Sequence, residues 1–113
     1  MDRISFNIAK EFSLVPGARY IREGDFSGEL FRKNYLLPMV ENVIKTNSIL
    51  VLNLDGTAGY GTSFLEEAFG GLIRDGIKKG DILNHIEFIS LEDPSYIDEI
   101  MEYIDDAHNH ENH

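Results

Sequence analysis

The residues with most chemistry to offer lie in "LNLDGTAGYGTSFLEEAFGG", residues 52–71, where an apolar run passes Gly56, Gly59 and Gly61 into a helical pattern opening on Thr62 or Ser63. Glycine-freed backbone N–H groups beside a helix start can cradle a phosphate, usually with a cation. No Lys precedes Thr62 as in a Walker A loop, and the spacing is not G-x-G-x-x-G, so the nucleotide fingerprint is weak. The hydroxyls carry more. Ser63 and Glu66 form S-x-x-E, the capping box in which each side chain satisfies the other's orphan backbone donor. On that reading Ser63→Ala costs about 1 kcal/mol. A phosphate on Ser63 would also suit the site, facing the positive end of the helix dipole. Capping and phosphorylation are compatible, and the residues alone leave both open.

Other constellations carry less. His108, His110 and His113 near Glu111 can chelate a cation, but their place at the chain end reads as a solvated terminus, so no metal is expected. Glu66 and Glu67 do not face one another on a helix and read as capping plus solvated surface. Arg19, Arg22, Arg32 and Lys33 can converge beside the loop, although pairing with Glu23, Asp25 and Glu29 is preferred. His85 falls in an expected strand with neither face favoured. No G-x-S-x-G elbow assembles a catalytic triad, and Tyr20, Tyr35 and Tyr60 are not interleaved with a basic stripe for nucleic-acid stacking. The expectation is a protein that is not an enzyme and holds no cofactor.

The elements that must position the loop follow from periodicity. "RISFNIAKEF" alternates Ile4, Phe6 and Ile8 as a strand with one buried face, and "ARYIRE" reads as a second strand, forming a hairpin across Pro16 and Gly17. Ser27 caps a helix carrying Leu30, Phe31, Leu37, Val40, Val43 and Ile44, with Pro38 predicting a kink or break near Leu37. "SILVLNLD" is apolar on both faces, hence a central strand. The helix after the loop presents Phe64, Leu65, Ala68, Phe69, Leu72 and Ile73, and Gly70 and Gly71 mean that it ends early or approaches something closely. "ILNHIEFISL" returns as a strand. Asp93 and Pro94 then open a last helix with Ile97, Ile100, Met101 and Ile104 inward and Asp98, Glu99, Glu102, Asp105 and Asp106 on its other faces. The predicted fold is a small α/β domain, a mixed four-stranded sheet with parallel pairs and about three helices, in the order β-β-α-β-α-β-α. One domain spans 1–106, and 107–113 is a disordered tail.

Composition bounds this further. A chain of 113 residues that is 42% hydrophobic is long enough for one core. The absence of Cys excludes disulfides and thiolate chemistry, and "MDRISF" lacks a signal-peptide pattern; with no apolar run of membrane-spanning length, a cytoplasmic protein is expected. The formal charge of -10 is concentrated after residue 80, where all ionised side chains are acidic. Such an end repels nucleic-acid phosphates and is drawn to basic partners, or simply keeps the protein soluble.

The stretch "ILVLNLDGTAGYGTSFLEEAFGGLI" resembles the strand, loop and helix of the STAS domain of sulfate transporters and anti-sigma factor antagonists. Residues 3–92 more broadly resemble the STAS-like domain of unknown function, a bacterial and phage family with "SGE.FR" followed by "GYG.SFLEEAFGGL". Gly17, Ser27, Gly28, Glu29, Phe31 and Arg32 match the first part, and Gly59, Tyr60, Gly61, Ser63, Phe64, Leu65, Glu66, Glu67, Gly70 and Gly71 the second. In the anti-sigma antagonists the helix after this loop begins Asp-Ser-Ser-Gly-Leu, and its second serine is phosphorylated by a histidine-kinase-like ATPase. Aligned without gaps, Ser63 falls on that serine, Thr62 on the one before it and Leu65 on the leucine, while Gly61 replaces the aspartate and Phe64 the glycine.

The resemblance implies a regulatory module that binds a partner protein through residues 56–63 and the following helix. Gly59, Tyr60, Gly61, Phe64 and Glu67 are the expected contacts and Ser63 or Thr62 the phosphoacceptor. The alternative is an acidic inhibitor, of a kind a phage could encode, that covers a basic surface of an enzyme or nucleic-acid-binding protein with Asp98, Glu99, Glu102, Asp105 and Asp106. Neither reading involves nucleic acid or membrane directly, and both are compatible with a homodimer.

Overall fold

Three short strands form the sheet in a computed structural model that describes residues 1–111. They are β1 (Arg3–Asn7), β2 (Ile49–Asn53) and β3 (Ile86–Ile89), in the order β1-β2-β3 and parallel throughout. Parallel neighbours need long crossovers. Helix α1 (Ile8–Glu11) and the long α2 (28–46) connect β1 to β2, and α3 (62–74) with α4 (Lys79–His85) connects β2 to β3. Helix α5 (Ser95–Glu111) follows and packs mainly against α3. The α/β class and the central place of β2 agree with the sequence. Among the described residues there are three strands, not four, and five helices, not three, in the order β-α-α-β-α-α-β-α.

The differences have local causes. "ARYIRE" is not a strand, because its backbone bonds go to the start of α2: Gly28 N–H donates to the Ala18 carbonyl at 2.9 Å and Glu29 N–H to that of Arg19 at 3.0 Å. Ile21 N–H in turn reaches the Glu29 carboxylate at 2.9 Å, and Ile21–Glu23 closes as a single 3₁₀ turn. Strand β1 stops at Asn7 because the Asn7 side chain accepts the Lys10 N–H and caps α1. Residues 82–85 are helical, with Ile82 and His85 buried three residues apart, and β3 begins only at Ile86. The buried His85 Nδ1–H donates to the Ser48 carbonyl at 2.8 Å, which fixes that face and the tautomer.

Pro38 does not break α2. The preceding turn, Arg32–Leu36, widens to π-helical geometry, and Leu37 N–H reaches the Arg32 carbonyl. The turn thereby absorbs the proline, which has no N–H to donate. The Ser27 cap is as expected: its hydroxyl accepts the Leu30 N–H at 3.0 Å. Asn47, left-handed at φ 53°, ends α2. The last helix runs past residue 106 to Glu111 and buries Ala107, so 107–111 are helical, while His113 lies outside the described residues. No helix among the described residues is long and apolar enough to cross a membrane.

Period two sorts the sheet into two faces. Phe6, Leu50, Leu52 and Ile86 share the buried face and belong to the core with Phe31, Val40, Phe64 and Phe69. Arg3, Ser5, Ile49, Val51, Glu87 and Ile89 share the other face, where Arg3, Ser5 and Glu87 are exposed.

Candidate functional site

The loop after β2 is held at the C-terminal end of the sheet by reciprocal contacts with the loop after β3. Asp55 accepts the Leu91 and Glu92 N–H groups at 3.1 and 3.0 Å, and Glu92 accepts the Gly56 N–H at 2.5 Å. Tyr60 lies inward: its hydroxyl donates to the Leu54 carbonyl at 2.7 Å and its ring meets Tyr96 edge-on. Burial holds its phenol above the ordinary pKa, so it stays a neutral donor. Between these loops is a cleft of about 260 Å³ lined by Asp55, Thr57, Gly59, Glu92, Asp93 and Tyr96.

That cleft is a poor phosphate cradle. The N–H of Gly56 is taken by Glu92, that of Ala58 by the Leu14 carbonyl, that of Gly59 by Thr57 Oγ1 and that of Tyr60 by the Tyr96 hydroxyl. No Lys or Arg lines it, and three carboxylates do. The glycines instead serve the turn, with Gly56 and Gly59 at φ of 96° and 134°, where a side chain would be strained.

The start of α3 differs from the sequence reading. Gly61 is the N-cap, with φ -74° and ψ 150°, and no side chain caps the helix; Thr62 and Ser63 are its first two residues. The capping box is therefore not formed. Glu66 is engaged elsewhere, receiving Arg19 at 2.5 Å and Arg74 at 2.7 Å. Ser63 is exposed and its hydroxyl has no partner among the described residues; the same is true of Thr62. Ser63→Ala is expected to change stability by less than about 0.5 kcal/mol, as at an ordinary surface site. Ser27→Ala, which removes a buried cap, is expected to cost about 1 kcal/mol. Urea unfolding of the two variants side by side checks the contrast.

Ser63 nevertheless has a distinctive surrounding. It lines an open groove of about 460 Å³ with Ala18, Arg19, Tyr20 and Glu23. Arg22 stacks over the Tyr20 ring, its guanidinium carbon 5.0 Å from the centroid. A free hydroxyl thus shares a groove with the guanidinium-bearing segment 18–23, in the first turn of a helix of thirteen residues, 62–74.

Behind that groove is an ionic network the sequence reading missed. Arg32 Nη1–H donates to the Glu67 carboxylate at 2.6 Å and to the Glu67 carbonyl at 2.5 Å, and Arg32 Nε–H to Asp75 at 2.9 Å. Both Arg32 and Glu67 are buried, so Glu67 is not solvated surface. Arg19 links Glu66 to Glu67, and only Lys33 pairs with Glu29 as expected. The network explains Gly70 and Gly71: α3 continues through them, and a Cβ on Gly71 would lie 2.8 Å from Arg32 Cδ. Gly28 makes the matching approach, since a Cβ there would lie 2.5 Å from the Phe64 carbonyl oxygen. A Glu and a Gly four residues apart on one helix face were the available signal, a carboxylate beyond a bare strip of backbone.

Glu66 has a consequence for pH. Burial pushes its carboxyl up, but the hydrogen bonds and charges of Arg74 and Arg19 outweigh this and leave it below the ordinary 4.5. Its stabilising effect is full above that value and is lost as pH falls through the lower folded-state value. Glu66→Gln is expected to flatten the acid limb of stability below about pH 4.5; an unchanged limb would mean that the carboxylate is not held.

The other candidate residues divide by exposure. Tyr60, Phe64 and Glu67 are turned into the fold, leaving Gly59, Gly61, Thr62 and Ser63 as the accessible part of the loop. On α5, Asp98, Glu102 and Asp106 are exposed, Glu99 is half-buried and Asp105 pairs with Lys79 at 2.6 Å. His108 lines a separate cleft with Ile73, Ile77 and Lys79, and His110 is exposed. Among the described residues, no group of three His, Asp or Glu is arranged to hold a metal ion.

Comparison with curated proteins and with solved structures gives no match. A family model does match, over residues 27–96, from the Ser27 cap that opens α2 to Tyr96 beneath the glycine loop. The matched span holds every partner in the interlock of α2 with α3 except Arg19, and all of the loop clasp. On that match the chain belongs to the family described as the STAS-like domain of unknown function.

Proposed function

We propose that the chain is a non-enzymatic regulatory module that binds a partner protein through the 56–63 loop and the helix after it, where Gly61, Thr62 and Ser63 are exposed, and that phosphate on Ser63 changes that binding. The observation that carries this reading is the free, exposed Ser63 hydroxyl in the first turn of α3, sharing a groove with Arg19. A phosphoserine brings about two negative charges and three strong acceptors to a helix N-terminus. There it competes with Glu66 for Arg19, while Arg74 remains to satisfy Glu66. The change is confined to the surface bearing the 18–23 segment and the loop, and the core beneath is untouched. A histidine-kinase-like ATPase is the partner class that the family resemblance suggests, acting as the kinase on Ser63.

The test is capture from cell extract by the wild-type protein and by Ser63→Asp, quantified by mass spectrometry. At least one captured protein is expected to change severalfold, with circular dichroism and thermal midpoint unaltered. Equal capture of every protein by both forms contradicts the switch.

A second reading has its own support. Asp98, Glu102 and Asp106 are exposed at four-residue steps on α5, an arrangement of like charges that weakens a helix. Occupying a basic surface of an enzyme or nucleic-acid-binding protein would give that stripe a use. Neutralising Asp98, Glu99, Glu102, Asp105 and Asp106 should then weaken capture and flatten its salt dependence.

A further inference from the structure

The outer edge of β1 is where the main chain of the sheet is left without partners. Ile49 N–H donates to the Asp2 carbonyl at 2.8 Å, so the even-numbered residues of β1 turn their main-chain groups toward β2 and the odd-numbered ones turn theirs outward. Among the described residues, the N–H and carbonyl of Arg3 and of Ser5 have no partner, and both residues are exposed. The next outward donor, Asn7 N–H, is taken by the Glu11 carboxylate at 2.8 Å. The opposite edge of the sheet offers less. On β3 the Ile86 N–H goes to the Ile82 carbonyl, and Phe88 is half-buried with its ring against Phe69.

Proteins usually blunt such an edge with a charge, a proline or a bulge. Here the only charged side chain of "RISFN" is Arg3, and it reaches inward over β2 to pair with Glu87 on β3. Ile4 is in register with the fully buried Leu50, on the face the helices cover, yet it is 39% exposed. The helical layer therefore stops short of the edge and leaves room for a strand beside it. We infer that β1 pairs antiparallel with β1 of a second copy, about a two-fold axis through Ile4. The free groups are self-complementary in that register: Arg3 of each copy exchanges both N–H···O bonds with Ser5 of its mate, and none of them is left over. Between these pairs Ile4 meets Ile4 directly, about 4.5 Å apart at Cα, and loses its exposure. Neighbouring registers fail. An axis through Arg3 sets the two arginines directly opposite, and one through Ser5 calls on the Asn7 N–H that Glu11 already holds.

The joined sheet runs β3-β2-β1-β1-β2-β3, with the strands of its two halves pointing in opposite directions. The two Ser63 loops then lie at opposite ends of the sheet, and both stay open to a partner protein. One short strand and one apolar contact bury far less than the roughly 800 Å² per partner of a stable complex, so the pairing is weak and concentration-dependent.

Sedimentation equilibrium from micromolar to millimolar concentration tests it, with Ile4→Lys, Ile4→Glu and an equimolar mixture of the two. The wild type is expected to associate, and each charged variant, by opposing like charges at the axis, to associate about tenfold more weakly or less. The mixture should recover association, because unlike charges then meet. Milder substitutions read the register independently. The chain has no Cys, so Ile4→Cys and Ser5→Cys each carry a single thiol. Under mild oxidation Ile4→Cys is expected to cross-link about tenfold faster than Ser5→Cys, whose thiol faces Arg3 of the mate rather than its own counterpart. A wild type that stays monomeric at millimolar concentration, a mixture no more associated than its components, or equal cross-linking at the two positions would each overturn the proposal.

Discussion

Arg32→Met is expected to lower the free energy of unfolding by about 3–5 kcal/mol, the cost of stranding a buried carboxylate. Arg32 and Glu67 are both buried, at 7% and 8% exposure, and one guanidinium serves the Glu67 carboxylate, the Glu67 carbonyl and Asp75. Arg19 and Arg74 are ion-paired to the Glu67 carboxylate at 3.6 and 3.8 Å, beyond hydrogen-bonding distance, so they offset part of its charge without restoring the hydrogen bonds that Arg32 makes. A second change separates the stranded charge from lost packing. The double variant Arg32→Met, Glu67→Leu is expected to be more stable than Arg32→Met alone, because a buried pair replaced by apolar groups is often neutral. Urea unfolding of the four proteins completes the cycle. A loss below about 1 kcal/mol in the single variant would place the pair in the class of exposed ion pairs.

Phe64→Ala is expected to cost a similar amount, about 3–5 kcal/mol, typical of removing a fully buried aromatic side chain. The ring has no exposure and lies at 5.8, 5.9 and 6.3 Å from the rings of Phe31, Tyr60 and Phe12. It sits one residue after Ser63, where a partner contact was anticipated from the family pattern. Burial makes the distinction measurable: a core residue moves the unfolding midpoint, whereas a surface contact moves capture alone. Phe64→Ala with wild-type stability would mean that the ring is available to a partner.

What could be read from the sequence was what local chemistry decides. Ser27 caps α2 because its hydroxyl has the Leu30 N–H three residues on and nothing competes for it. Strand β2 was recognisable because a run apolar on both faces has few places to go except the middle of a sheet. The misreadings fall where a distant partner outbid a local one. S-x-x-E at Ser63 is a sound capping pattern, but Arg19 and Arg74 claim Glu66 from 47 and 8 residues away. "ARYIRE" alternates like a strand, yet its hydrogen bonds go to the first turn of α2. Glu67 read as surface because its partner Arg32 lies 35 residues earlier, and no periodicity within α3 points to it. The family motif consequently means two things at once. Gly28, Arg32, Glu67 and Gly71 lock α2 to α3, while Ser63 stands exposed beside the lock.

Phosphopeptide mapping of the protein isolated from its own cells tests the regulatory reading most directly. The expected result is a single phosphate on a fraction of molecules, located on Ser63, with a fraction that changes when the partner is engaged. Protein that binds and releases its partner while residue 63 stays unmodified would contradict it.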